Sequence, residues 1–312
     1  RKIKNLNPQP LTPNPQLIIH IHAWWNLVSI FSCAIAKWYH IPVILSPRGM
    51  LTAYTTTNRN SLAKRIVHTF FGRRLLKYCH IHVTREKEKR DVLSIISPKS
   101  ITVIPNLVEL GQDQRPTIKA KKIEENNKEL NTSSNSFKLV FLSRIEEKKG
   151  LELLFKALSS VSLAWSLTIA GSGEKNYVES LKFKAKNLKI ENSINWVGQV
   201  KNEDKFNLLA ENDLMVLISY NENFANVVIE SLSVGTPVLL SNEVGLADYV
   251  EEKKLGWITD LTPKNITEQL IKSFEAKNSR AVIRETAPQI IIEDFDSKNL
   301  IKKYFKLYSQ IK

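Results

Sequence analysis

Acidic residues are missing from the first quarter of this chain. Residues 1–85 carry 12 Lys and Arg and no Asp or Glu. Up to residue 110 the balance is 16 basic to 4 acidic, and the remaining 202 residues carry 29 basic and 27 acidic. Nearly all of the net charge of +14 therefore sits in one part of the 312-residue chain. A surface of one sign attracts partners of the other, so this part points to phospholipid, nucleic acid or a polyphosphate. Cysteine is also scarce. Cys33 and Cys79 match no metal spacing and build no disulfide framework, which favours a reducing cytosol. No apolar run approaches the roughly 18 residues that cross a bilayer. No signal-peptide pattern opens the chain, which starts on Arg1 rather than Met, so an N-terminal part of the natural chain is expected to be missing.

What is present fits a folded protein. Apolar residues make up 43% and charged residues 24%, and the length suffices for two domains. "LIIHIH" (17–22), "IPVILS" (41–46), "CHIHVT" (79–84) and "SITVIP" (100–105) read as short buried strands, with a helix over 26–40. Strand–helix alternation of this kind predicts a parallel sheet covered by helices. Residues 109–136 are polar without apolar period and read as a linker or surface excursion. A second series follows: strands at 137–143, 165–171, 194–198, 213–219 and 237–241, with helices at 149–161, 176–188, 201–212, 227–235 and 266–276. The last segment is a terminal amphipathic helix. The expected domains are 1–108, then the linker 109–136, then 137–285, with 286–312 packing back on the first.

Ligands of open α/β sheets sit at the carboxyl ends of strands. Three strand ends of the second series carry suitable groups. After "VFLS" come Arg144 and Lys149; "LTIAG" ends on Gly171 and is followed by Ser172, Gly173 and Glu174; after "MVLIS" and Tyr220 comes "NENFANVVIE" (221–230). Taken singly, Arg144 and Lys149 read as surface charges at a turn. Together with a glycine-rich turn and a helix N-terminus they form a diphosphate cradle. Glu222 lies in the loop before that helix and Glu230 in its second turn. A phosphate facing the amides of Asn226, Val227 and Val228 would leave Glu222 and Glu230 in reach of hydroxyls on either side. Hydroxyls on both sides of a diphosphate describe a nucleotide sugar. The plain alternative is a surface Glu and a first-turn Glu favoured by the helix dipole.

Residues 17 to the C-terminus resemble the retaining, nucleotide-sugar-dependent glycosyltransferases of family 4, of the exopolysaccharide and cell-surface glycan type. The resemblance rests on "ENFANVVIESLSVGTPVLLSNEVGLADYV" (222–250), "SRIEEKKG" (143–150), "IAGSGE" (169–174), "IPN" (104–106) and "SPRGM" (46–50). It implies the GT-B fold: two Rossmann-like parallel-sheet α/β domains facing across a cleft. It further implies that Arg144 and Lys149 neutralise the donor diphosphate and that Glu230 binds the ribose. Glu222 would contact the transferred sugar. The amides of Phe224, Ala225, Asn226 and Val227, with the Gly171 and Gly173 turn, would approach the phosphate. His22 and Arg48 would lie on the acceptor side. No metal and no cofactor are expected beyond the donor. The acceptor class is a glycan or a polyprenyl-diphosphate-linked sugar.

Two departures from the pattern stand out. Ala225 replaces a usual glycine. Roughly 60–70 residues that the family places before the strand at 17–22, including a glycine-rich loop, are absent, so an incomplete N-terminal domain is expected. Such a chain leaves a sheet edge exposed, and inactivity alone is one expectation. Other readings were open on the sequence. "HIH" at 20–22 and at 80–82 lacks a third metal ligand. "DFD" (294–296) resembles a metal-holding carboxylate pair but fits a helix cap at Asp296 better. "SLAKRIVHTFFGRRLLK" (61–77) reads as a packed helix with a cationic face or as one resting on anionic lipid, and the basic surroundings favour lipid at the cytoplasmic face of a membrane. Nucleic-acid binding finds no motif. An epimerase of the same fold and a catalytically silent relative remain as alternatives.

Overall fold

The structure, a computed structural model, describes residues 17–52, 72–111 and 136–311. The chain divides into two compact units: Arg1–Pro105 with Lys298–Lys312, and Asn106–Ser297. The expected segment 286–312 is therefore split, and only its last helix joins the first unit. Most of the expected linker lies outside the described residues, as does most of the basic stretch 61–77.

The first unit is a four-stranded parallel sheet in the order β1-β2-β3-β4. Its strands are β1 (Ile19–His22), β2 (Val43–Ser46), β3 (His80–Val83) and β4 (Ser100–Val103). Helices α1 (Leu27–Trp38), α2 (Arg73–Tyr78) and α3 (Glu86–Ile95) accompany them. Asn26 starts α1 by accepting the amide of Ser29 at 2.8 Å, the ordinary N-cap device. Ser29, Cys33 and Ala36 give α1 one buried stripe at helical spacing. Helix α3 was not expected from the sequence. Only Glu88 and Val92 of it are buried, so it shows almost no apolar period.

The terminal helix α11 (Ser297–Gln310) packs Leu300 and Leu307 against Ile44 and Ile104. A directed hydrogen-bond chain adds to this. The carbonyl of Ile104 can only accept, so His82 Nε2 donates to it at 2.9 Å. His82 Nδ1 then accepts from Ser46 at 2.7 Å, Ser46 accepts from His20 Nε2 at 2.8 Å, and His20 Nδ1 accepts from Tyr308 at 2.8 Å. Both imidazoles are neutral in this arrangement. Burial, with neighbouring His22, His82 and Arg48, pushes His20 down from 6.5 to about 3. Burial lowers His82 as well.

The second unit is a six-stranded parallel sheet in the order β10-β9-β8-β5-β6-β7. The strands are β5 (Phe137–Leu142), β6 (Trp165–Ala170), β7 (Ile194–Gly198), β8 (Leu214–Leu217), β9 (Val238–Ser241) and β10 (Gly256–Thr259). The chain builds outward from β5 through β6 to β7. It then returns to add β8, β9 and β10 on the other side, so the order reverses between β5 and β8. Helices α4 (Leu151–Leu158), α5 (Lys175–Asn187), α6 (Asn202–Ala210), α7 (Asn226–Ser233), α8 (Ala247–Glu252), α9 (Pro263–Glu275) and α10 (Lys277–Asp294) complete it. Strands β8 and β9 are buried at every position, as a parallel sheet covered on both faces requires. Helix α10 is another element the sequence hid. Its buried side are Ile283, Ala287 and Ile291, and Pro288 interrupts a mostly polar run. Both units are Rossmann-like α/β sheets.

Candidate active site

The reversal between β5 and β8 is where an open α/β sheet offers a crevice for ligands. Each strand end there is shaped by a close backbone approach. After β5 the chain makes a short 3-10 turn over Glu147–Lys149 and passes through Gly150 into α4. Gly150 has φ +70°, and a Cβ on it would lie 1.9 Å from the carbonyl oxygen of Ile218, at the end of β8. Only glycine allows that turn to sit against β8. Tyr220 N donates to Lys148 O at 2.8 Å, which ties the loop after β8 to the same turn.

This registration brings Lys149 and Glu222 together. They are 73 residues apart in sequence and form a direct ion pair. The Lys149 side chain is 8% exposed and that of Glu222 is 20% exposed. Glu222 is held on its other side by β9's continuation: its amide donates to Glu243 O at 3.2 Å and its carbonyl accepts from Gly245 N at 2.8 Å. Glu222 thus stands on a backbone fixed from two directions. The pairing is what makes a buried lysine tolerable, because an unpartnered buried ammonium is costly.

Arg144 does not join this pair. It is largely exposed and makes an ion pair with Glu146 at 2.8 Å. Lys148 approaches the same carboxylate at 3.5 Å. The two cations treated alike in the sequence are therefore different: one is sequestered on Glu222, the other sits in a surface cluster. Glu146, only two residues from Arg144, is a partner that the sequence displayed without marking.

Gly171 and Gly173 serve the backbone in the first place. Cβ atoms there would lie 1.8 Å from Ser143 O and 2.3 Å from Ile145 O. The Gly171–Gly173 turn runs beside 143–145, with Ile145 N donating to Ser172 O at 2.8 Å.

Helix α7 starts after Ala225, whose φ of 63° is left-handed, and no side chain caps it. Of the three amides assigned to phosphate from sequence, that of Val228 donates to Ala225 O at 2.9 Å. The first turn of the helix holds no acidic residue and no capping side chain to meet the positive end of its dipole. Asn226 Oδ1 accepts from Asn106 Nδ2 at 3.0 Å, which gives "IPN" a structural partner. Phe224 is buried and meets Phe295 edge-on at 6.1 Å, so its side chain belongs to the core and its backbone alone faces the turn. Val227 packs partly buried on the same core. Glu230 lies one turn further, and its Oε1 accepts from Lys205 Nζ at 3.0 Å. Lys205, on α6, was not foreseen because charge alone does not single out one lysine among many.

In the first unit, Arg48 Nη2 donates to His22 Nδ1 at 3.3 Å. Desolvation, then Arg48, lowers the pKa of His22. Arg48 and Gly49 take consecutive left-handed φ values of 53° and 74°. The buried Glu88 holds this loop, accepting from Gly49 N at 2.7 Å with one oxygen and from Thr84 N at 2.8 Å with the other. Among the described residues no group of three His, Cys, Asp or Glu side chains could hold a metal ion. Asp294 of "DFD" is engaged by Tyr249 at 2.9 Å and Lys253 at 2.8 Å.

Comparison with known proteins bears on the family and the fold. Residues 122–290 match the family model for "Glycosyl transferases group 1". Alpha-monoglucosyldiacylglycerol synthase of Streptococcus pneumoniae is 29% identical over 171 residues, covering 54% of this chain and 38% of that protein. The O-antigen biosynthesis glycosyltransferase WbnH of Escherichia coli is 28% identical over 218 residues, covering 69% and 56%. The chain thus spans about half the length of these relatives or less. Anabaena Alr3699/HepE, solved in complex with UDP and glucose, superposes with a TM-score of 0.73 at 17% identity, covering 93% of this chain and 78% of that one. That likeness shows the fold class, GT-B with two Rossmann-like α/β domains. With the family model matched over more than half of its length, this chain belongs to the glycosyl transferases group 1 family.

Proposed function

We propose that this chain belongs to a retaining, metal-independent transferase of family 4, which moves a sugar from a nucleotide donor to an acceptor hydroxyl in cell-surface glycan synthesis. The observation that carries the reading is the Lys149–Glu222 pair at the β5/β8 reversal, next to an uncapped helix that bears Glu230. Lys149, Arg144 and the N-terminus of α7 stabilise the departing diphosphate, the largest charge change in the reaction. Two cations and a helix end supply what a divalent ion would otherwise supply. The Lys149–Glu222 pair holds both side chains at the strand ends before the donor arrives. Donor binding then lets Lys149 share its charge with the diphosphate while Glu222 turns to the sugar hydroxyls. Glu230 takes the ribose.

In this reading the leaving phosphate oxygen accepts the proton of the acceptor hydroxyl. Attack then comes from the face that the diphosphate leaves, and the anomeric configuration is retained through an oxocarbenium-like state. His22 and Arg48 belong to the acceptor side. The acceptor class is a glycan or a polyprenyl-diphosphate-linked sugar, consistent with the O-antigen relative, and the site of work is the cytoplasmic face of a membrane. Among the described residues no helix is long and apolar enough to cross one.

Hydrolysis of a panel of nucleotide sugars, with and without candidate acceptors, tests this. Glu222→Ala and Lys149→Ala should each abolish turnover in protein that still melts cooperatively, with the Glu222→Ala transition shifted down because Lys149 loses its partner. Near-normal turnover in either variant sinks the assignment. Nucleotide binding without turnover in the wild type would favour a silent relative, a reading for which the alanine at φ 63° ahead of α7 is the one specific observation.

A further inference from the structure

Glu230 is held from a neighbouring helix. Lys205 sits in the second turn of α6, and its Nζ lies 3.0 Å from Glu230 Oε1 on α7. Both side chains are mostly withdrawn from solvent, at 11% exposure for Lys205 and 15% for Glu230. The ammonium also lies 4.8 Å from the centroid of its neighbour Phe206, and 3.7 Å from Glu109. Glu109 is well exposed, so it is the weaker partner. Glu230 Oε2 makes no hydrogen bond to a described residue. The pair therefore joins two helices and commits one carboxylate oxygen while sparing the other.

From this geometry we infer that Lys205 is a positioning residue for the donor nucleoside. It fixes the Glu230 carboxylate by one oxygen, so that the second oxygen meets the ribose hydroxyls in one orientation. The inference rests on the reading of Glu230 as the ribose-binding residue. A free glutamate has several rotamers to choose from, and ordering them costs affinity at the moment of binding. Lys205 has made that choice beforehand, from a helix that packs against α7. In this reading Lys205 acts on the nucleotide through Glu230, so its effect is confined to recognition of the ribose. A purely structural ion pair would influence stability and would weaken all nucleotides alike.

The test compares affinities of UDP, GDP and ADP and of the 2′,3′-dideoxy form of whichever binds best, measured by calorimetric titration. The wild type should prefer the ribose form by about 10- to 100-fold, the range for hydrogen bonds to a charged acceptor. Lys205→Gln keeps a hydrogen-bond donor and removes the charge; it should lose at least about half of that preference on a logarithmic scale while binding the dideoxy form as the wild type does. Lys205→Arg should retain the preference. Glu109→Gln should leave it unchanged. If the wild type does not discriminate ribose, the reading of Glu230 fails and Lys205 has no role to play. If the wild type discriminates and Lys205→Gln discriminates equally, the inference fails and the reading of Glu230 stands. Failure of Lys205→Gln to fold, with Lys205→Arg normal, would assign the pair to stability and overturn the inference as well.

Discussion

Ala225 shows how one residue can be out of keeping with its place. It holds a left-handed φ of 63° in front of α7, where a Cβ is unfavourable and a glycine is not. Ala225→Gly removes that penalty, and glycine is also the better residue before an uncapped helix. The variant should be more stable by up to about 1 kcal/mol in a urea titration. His20 makes the opposite point, since its setting favours one protonation state. Its folded-state pKa of about 3 lies below the ordinary 6.5. The folded state therefore binds fewer protons than the unfolded one. The neutral-histidine contribution is fully present above 6.5 and fades as the pH falls from 6.5 toward 3. Denaturant midpoints measured across that window should fall more steeply for the wild type than for His20→Gln. His22, His82 and Arg48 face the same ring and Tyr308 caps it, so the variant removes part of the slope rather than all of it.

Elements position the site through backbone contacts that side-chain patterns do not record. Strands β1–β9 were legible because short Val/Ile/Leu runs bounded by polar residues leave little choice in a parallel sheet. Helices α3, α8 and α10 and strand β10 were not. Their buried residues are few, and the period is lost among charged neighbours. The candidate site was half legible. Glu222, Glu230, Lys149 and Arg144 could be picked out by type and spacing at strand ends. That Lys149 pairs with Glu222 while Arg144 turns to Glu146 depends on how the turn after β5 meets the loop after β8. Gly150 sets that meeting. A methyl group there would need to lie 1.9 Å from Ile218 O and would take a left-handed φ of 70°. Gly150→Ala should cost roughly 2–3 kcal/mol or more by denaturant titration, because both strain and a backbone clash must be relieved. It should also weaken nucleoside diphosphate binding, since the Lys149 turn moves with it.

At the scale of the whole molecule, the charge is segregated. The residues up to 110 carry 16 Lys and Arg against 4 Asp and Glu, whereas the rest of the chain is nearly balanced. Helix α1 adds exposed Val28, Phe31 and Trp38 to that cationic part. An anionic lipid surface suits both features. The chain should sediment with vesicles containing phosphatidylglycerol at about 0.05 M salt and be released at about 0.5 M, where screening acts over only a few ångströms. Absence of binding at low salt would remove the lipid partner from the account. The donor assignment is independent of it and depends only on the second unit.

The most direct test of that assignment is a calorimetric titration of UDP, GDP, ADP and dTDP into the wild-type chain and into Lys149→Ala. The account predicts that the wild type binds at least one of them, and that Lys149→Ala, still folded, binds it about 10- to 100-fold more weakly for want of one charge-assisted hydrogen bond. Equal affinity in the two proteins, or no binding of any nucleoside diphosphate by the folded wild type, would contradict it.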